Sequence, residues 1–226
     1  MVSRFLQCSA LTFILVVLLG SVGCSSSNST RLRFLQAAPD LGNVDVLLDS
    51  KTIESGMGYG TPTDYMSVKA GSRHIQVEPT GSSTPVIDQT ISLNRGSHYT
   101  FIADGFASDI SAMLLLDDQS APASGDIKLR FVNAGAGAGD VDVYVLAPGT
   151  TPPGNPPTVG NLSLGVASDY QSIAAGSYEI FVNIAGTTFV YVDTGSLSFA
   201  AGQNRTFVLL SDLAGGFRLV TLHDLN

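Results

Sequence analysis

The stretch "RLRFLQAAPDLGNVDVLL" at 31–48 returns about a hundred residues later as "KLRFVNAGAGAGDVDVYV" at 128–145. Leu32, Arg33, Phe34, Ala37, Val44, Asp45 and Val46 align with Leu129, Arg130, Phe131, Ala134, Val141, Asp142 and Val143 at a constant offset of 97 (129 minus 32). Downstream, "TDYMSVKAGSRHIQV" at 63–77 matches "SDYQSIAAGSYEIFV" at 168–182 at an offset of 105, and "GSHYTF" at 96–101 matches "GQNRTF" at 202–207 at 106. The step from 97 to 105 is an eight-residue insertion, and it falls in "APGTTPPGNPP" at 147–157. So many prolines rule out a central strand and predict an enlarged loop.

A repeat of this length is domain-sized, unlike the short units of solenoids, which cannot bury a core alone. Within each copy, apolar and polar residues alternate over short segments bounded by Gly, Pro, Asn or Asp, the period-2 mark of half-buried strands. Val44, Val46 and Leu48 share one face and Asp45 and Asp49 the other; Ile75 and Val77 alternate with His74 and Gln76. Gly71 and Gly176 sit between strand-like runs, where the positive φ of tight hairpins is expected. The reading is all-β: two tandem antiparallel β-sandwich domains, immunoglobulin-like or transthyretin-like, at 31–118 and 127–226, joined by a polar linker at 119–126.

The first residues have a separate logic. Arg4, the apolar run "ALTFILVVLLG" and the small residues before Cys24 have the layout of an export signal, with an apolar segment too short to span a bilayer. They resemble a bacterial lipoprotein signal. That resemblance implies cleavage after Gly23, lipidation of Cys24, a Ser-rich tether at 24–30 and a chain held on the cell envelope; Ser25 in place of aspartate favours the outer membrane where there are two. The other cysteine, Cys8, lies inside the signal, so the folded part has no thiol for a disulfide or metal. Removing 1–23 leaves 10 basic and 19 acidic residues, a net charge of −9, which repels nucleic acid.

The repeated motifs are similar to the bacterial repeat known as domain of unknown function 4397. It commonly opens with an arginine, two hydrophobics, His, Asn or Gln, Ala, a small residue and Pro-Asp, and continues to "VDVY". Copy one matches through Arg33, Gln36, Ala37, Pro39, Asp40, Val44, Asp45 and Val46. Copy two keeps Arg130, Asn133, Ala134 and "VDVY" at 141–144 but has glycines and alanines at 135–139 in place of Pro-Asp. The resemblance implies an exported β-sandwich and no activity.

The residues point to no catalytic set. The glycines of "GMGYG" at 56–60 and "GAGAG" at 135–139 lack phosphate-loop spacing and read as flexible loops. His74, His98 and His223 are too scattered for a zinc site, and no serine-hydrolase elbow is present. Asp104, Asp109, Asp117 and Asp118 are the acids from which a calcium site would be built, but without a calcium-loop pattern. Tyr65 and Tyr170, at matching positions, are expected to bond their hydroxyls to nearby backbone. Asp45 and Asp142 read as strand residues turned toward loops or solvent. The resulting expectation is a non-enzymatic, lipid-anchored envelope protein without a cofactor or metal. It would bind an envelope protein or glycan; the alternatives are an envelope hydrolase and an assembly subunit using strand-edge pairing.

Overall fold

In the computed structural model, residues 28–225 are described. The expected signal segment and Cys24 lie outside them. The first half folds as eight strands: β1 (Ser29–Ala37), β2 (Val44–Leu48), β3 (Lys51–Met57), β4 (Met66–Lys69), β5 (Gly71–Pro79), β6 (Ile87–Leu93), β7 (His98–Asp104) and β8 (Ser111–Asp117). Nine follow: β9 (Asp126–Asn133), β10 (Val141–Leu146), β11 (Val159–Leu162), β12 (Val166–Ala167), β13 (Gln171–Ala174), β14 (Gly176–Ile184), β15 (Val190–Phe199), β16 (Asn204–Ser211) and β17 (Phe217–Leu225).

Both halves are β-sandwiches of one design. The first pairs a β4-β1-β7-β8 sheet with a β3-β2-β5-β6 sheet; the second pairs β12-β9-β16-β17, with β13 also on β9, against β11-β10-β14-β15. An immunoglobulin sandwich divides its strands differently, keeping the first, second, fourth and fifth together. The observed order therefore departs from the immunoglobulin layout of the two expected. The sheets are antiparallel except where the first strand of each module meets the seventh-position strand: β1 with β7 and β9 with β16 run parallel. The first strand takes in Ser29 and Thr30 of the expected tether, because Ala70 N–H donates to Asn28 O, Gly96 N–H to Ser29 O and Thr30 Oγ1 to Ser97 O.

Alternation sets the cores. From β1, Leu32 and Phe34 enter the first core with Val44, Val46, Ile75, Val77 and Phe101; from β9, Leu129 and Phe131 enter the second with Val141, Val143, Ile180, Val182 and Phe207. The other face of these same strands is apolar too. Leu35, Ala37, Ile102 and Met113 of the first module pack with Val132, Ala134, Val208, Leu210 and Leu222 of the second in a third buried cluster. The β1 and β9 sheets are thus covered on both faces, and the modules share a core.

The β2–β3 connection is a two-residue turn with positive φ at Asp49 (51°) and Ser50 (64°), the mirror-image turn that suits strand twist. At the same place in the second module the Pro-rich segment leaves Leu146 and returns at Val159. Gly71 has the expected positive φ (105°), but Gly176 is not among the left-handed glycines, and neither sits in a hairpin. Each lies where the chain passes from one sheet to the other, β4 to β5 and β13 to β14.

Candidate functional site

Two polar arrangements stand out, one between the modules and one under the Pro-rich loop. The first is built twice, once from each repeat. Arg33, on the outer face of β1, reaches across to Asp224 of β17; Arg130, on β9, reaches back to Asp117 of β8. Each guanidinium also donates from Nε to a hydroxyl of its own module, Arg33 to Thr100 and Arg130 to Thr206, at 2.8 and 2.9 Å. It then donates from Nη1 to a backbone carbonyl of the other module, His223 O or Leu116 O, at 3.0 Å. Thr100 donates to Asp117 and Thr206 to Asp224, at 2.7 and 2.6 Å. All four charged side chains are buried, and Arg33 also lies 3.8 Å from Asp117.

Tyr65 and Tyr170 complete the pattern, and here the expected backbone bond is corrected. Their hydroxyls donate to carboxylates, Tyr65 to Asp117 at 2.7 Å and Tyr170 to Asp224 at 2.9 Å, and each ring lies under the arginine of its own module. Burial, and then the adjacent carboxylate charge, push both phenols well above the ordinary tyrosine range. For Arg130, burial opposes the charge but Asp117, Tyr170 and Asp224 outweigh it and hold its pKa above the usual value. Such a set is densely bonded: every nitrogen of both guanidiniums and every oxygen of both carboxylates has a partner, and its bonds tie one module to the other.

The remaining acids do not converge. Asp104 accepts from Ser111, burial raising its pKa; Asp118 binds Lys128 and Ser120; Asp109 lies in a short 3₁₀ turn. Among the described residues no group of three or more His, Cys, Asp or Glu side chains is placed to hold a metal. His98 packs edge-on against Tyr65, His74 pairs with Asp88, and His223 contributes its carbonyl to Arg33.

The glycine runs are hydrogen-bonded into the fold. Asn133 Nδ2, Ser211 Oγ and Tyr191 OH donate to the carbonyls of Gly139, Ala136 and Ala138, so the 135–139 segment is tied on three sides. In "GMGYG", a Cβ at Gly60 would collide with the Arg218 guanidinium of the second module, and Tyr59 OH bonds Ser211 O across the same contact at 2.6 Å.

The repeated aspartates anchor loops. Asp45 is partly exposed and accepts from Ser55 Oγ, Gly56 N–H and Thr80 Oγ1; these bonds, the Gly56 amide foremost, hold its pKa below the usual carboxylate range. Asp142 is buried and accepts from the N–H groups of Asn161 and Gly186, both at 2.8 Å. The difference is the Pro-rich loop. It shares a cleft with Asp142, Tyr144 and Asn183 on the outer face of the β10–β14 pair, where these residues and Phe181 are buried, whereas the equivalent Asp45, Leu47, Gln76 and Glu78 remain partly open.

The loop is held by Thr150 N–H to Ala147 O, Asn155 N–H to Pro152 O and Thr158 N–H to Val143 O. Between it and the β14–β15 turn is a cleft of about 390 Å³ lined by Asp142, Tyr144, Pro152, Pro157, Asn183 and Thr187 among others. Asn183 stands directly across the ladder from Asp142. It is fully buried, and neither atom of its amide has a hydrogen-bond partner within the protein.

Among solved structures, similar folds include a streptococcal virulence factor in a study of α-glucan binding (11% identity, 79% of this chain and 92% of that one, TM-score 0.27). A family 41 carbohydrate-binding module from streptococcal virulence factors (14%, 79% and 93%, 0.25) and a family 26 module from Eubacterium rectale (11%, 85% and 96%, 0.24) are further examples. No curated protein matches the sequence. A family model does match residues 30–144, just over half of the 226 residues, from the start of β1 to the second "VDVY". The chain belongs to the family described as domain of unknown function (DUF4397).

Proposed function

We propose that the chain is a non-enzymatic, lipid-anchored cell-envelope protein that binds an envelope component through the loop-covered face of its second module. The observation that carries this reading is the asymmetry of an otherwise duplicated scaffold. Where the first module has a two-residue turn, the second has an ordered loop enclosing a cleft with an unpaired polar side chain. Recognition is carried by loops on a rigid frame, and this is the loop that departs from the repeat. The buried arginine–aspartate set ties the two modules together and supplies rigidity. Cys24 lies only five residues before β1, a reach of about 18 Å when extended, so lipidation there would hold the modules close to the bilayer.

Two measurements on the native host test it. Radiolabelled palmitate is expected on the wild-type chain and absent from a Cys24→Ala variant; equal labelling of both would overturn the anchor. A photoreactive residue at Asn155 is expected to crosslink an envelope component. Crosslinks formed from the first module's Asp49–Ser50 turn, but not from Asn155, would overturn the assignment of the binding face.

A further inference from the structure

We infer that the cleft beneath the Pro-rich loop is a binding site for a neutral, polyhydroxylated ligand, a sugar of one or two rings, read by the Asn183 amide. This deepens the binding reading above and rests on it.

Three features select the ligand. A fully buried amide offers two N–H donors and a carbonyl acceptor, and none of them has a protein partner. Leaving such a group dry is unfavourable, so a water or a ligand hydroxyl in the cleft is needed to satisfy it, and a ligand that replaces that water must offer the same bonds. Vicinal hydroxyls each donate and accept, and a pair of them matches both edges of an amide. An ammonium ligand has donors only and would leave the Asn183 N–H groups unmatched.

The neighbouring carboxylate excludes the opposite class. Asp142 faces the cleft next to Asn183, and no lysine or arginine lines it, so an anionic ligand would meet uncompensated repulsion. Both Asp142 oxygens already accept a backbone N–H, which holds the carboxylate in place and leaves lone pairs for a ligand hydroxyl. The walls supply the third feature: Pro152, Pro157 and Tyr144 present C–H and ring surface suited to the apolar faces of a sugar ring. At about 390 Å³ the cleft lies at the small end of ligand sites, near 300–1,000 Å³.

The same position in the first module shows what the site requires. Glu78 replaces Asn183 opposite Asp45, and no loop covers the pair. Two carboxylates on one open ladder site give neither the donors nor the enclosure.

The test is isothermal titration of the intact chain in detergent micelles with maltose, cellobiose and N,N′-diacetylchitobiose, with galacturonate and putrescine as charged probes. At least one neutral disaccharide is expected to bind and both charged probes to fail. Asn183→Leu, which keeps the branching and heavy-atom count of the side chain, is expected to weaken that binding at least tenfold while the Tm stays level or rises, because the substitution removes an unpaired buried amide. Three outcomes overturn the inference: no neutral sugar binds, putrescine binds in their place, or Asn183→Leu binds as the wild type does. Crosslinking from Asn155 without sugar binding sinks this inference alone. Sugar binding without palmitate on Cys24 sinks only the anchored reading.

Discussion

Arg33 and Arg130 carry a heavy energetic obligation, because each is buried opposite a carboxylate contributed by the other module. Removing one partner strands a charge: Arg33→Met is expected to cost about 3–5 kcal/mol in urea unfolding. The double variant Arg33→Met, Asp224→Leu should recover most of that loss, giving a large coupling energy in the cycle. Asp142→Ala strips the acceptor from two N–H groups, one of them on Asn161 with its strained φ of 52°, and is expected to cost about 1–3 kcal/mol. Asp45→Ala should lower the melting temperature less, since water replaces its bonds. His98 has the opposite kind of dependence. Burial, and then the positive charges of Arg31 and Arg33, outweigh Asp117 and depress its pKa below 6.5, so the fold prefers the neutral ring. The unfolded chain then binds the extra proton, and stability contributed by the neutral ring is full above about pH 6.5 and declines as pH falls below it. His223 shifts the same way. A His98→Phe variant should make the melting profile less steep between about pH 6.5 and 5, with His223 supplying the slope that remains. Below about pH 4 the decline should persist in the variant, because Asp45, Asp49 and Asp88 have lowered pKa values and lose their stabilisation there.

At the level of elements, the strands were legible because their periodicity is local. Val44, Val46 and Leu48 face the core as their spacing requires, and Ile75 and Val77 likewise. The repeat also located the element that differs, since an eight-residue offset in a Pro-rich segment can only be a loop. What that loop faces was not legible, because the cleft it shares with Asn183 is set by tertiary folding over more than twenty residues of intervening chain. Sheet assignment was obscured for the same reason: Gly71 and Gly176 mark sheet crossings, and a turn signal does not say which strand receives the chain. The cleft site makes a clear prediction at this scale. Replacing residues 146–155 by the Asp-Ser pair of the first module, which removes the eight extra residues and keeps the register of β11, should leave the far-ultraviolet dichroism of a sandwich. It should also expose Tyr144 and Phe181, raise binding of a hydrophobic dye and abolish the sugar titration. A protein that lost its strands on this replacement would show the loop to be part of the fold rather than a cover on it.

The whole molecule is more than two modules in series, and one sequence signal pointed there. "RFLQA" and "TFVLL" carry apolar residues on both faces of a strand, as strands covered on two sides do, whereas a half-exposed strand alternates. Read for one sandwich, Leu35, Ile102, Val208 and Leu210 have no reason to be apolar; read for two, they are the shared cluster. Interfaces between domains are ordinarily small and polar, and leave the domains free to move. This one joins an apolar cluster to two buried ion pairs that each need both modules. The linker is tied down as well, Asn204 Nδ2 donating to Asp118 O and Ser120 O. Separating the modules would therefore uncover the cluster and strand four charges at once, a loss comparable with the stability of a domain. Calorimetry of the intact chain should accordingly show one transition with a calorimetric-to-van't Hoff enthalpy ratio near one. Residues 28–118 and 119–226 expressed apart should aggregate, and co-expressed they should assemble into a soluble pair. Two resolved transitions, or a monomeric and stable 28–118 fragment, would show that the modules fold independently and that their contact is only a docking surface.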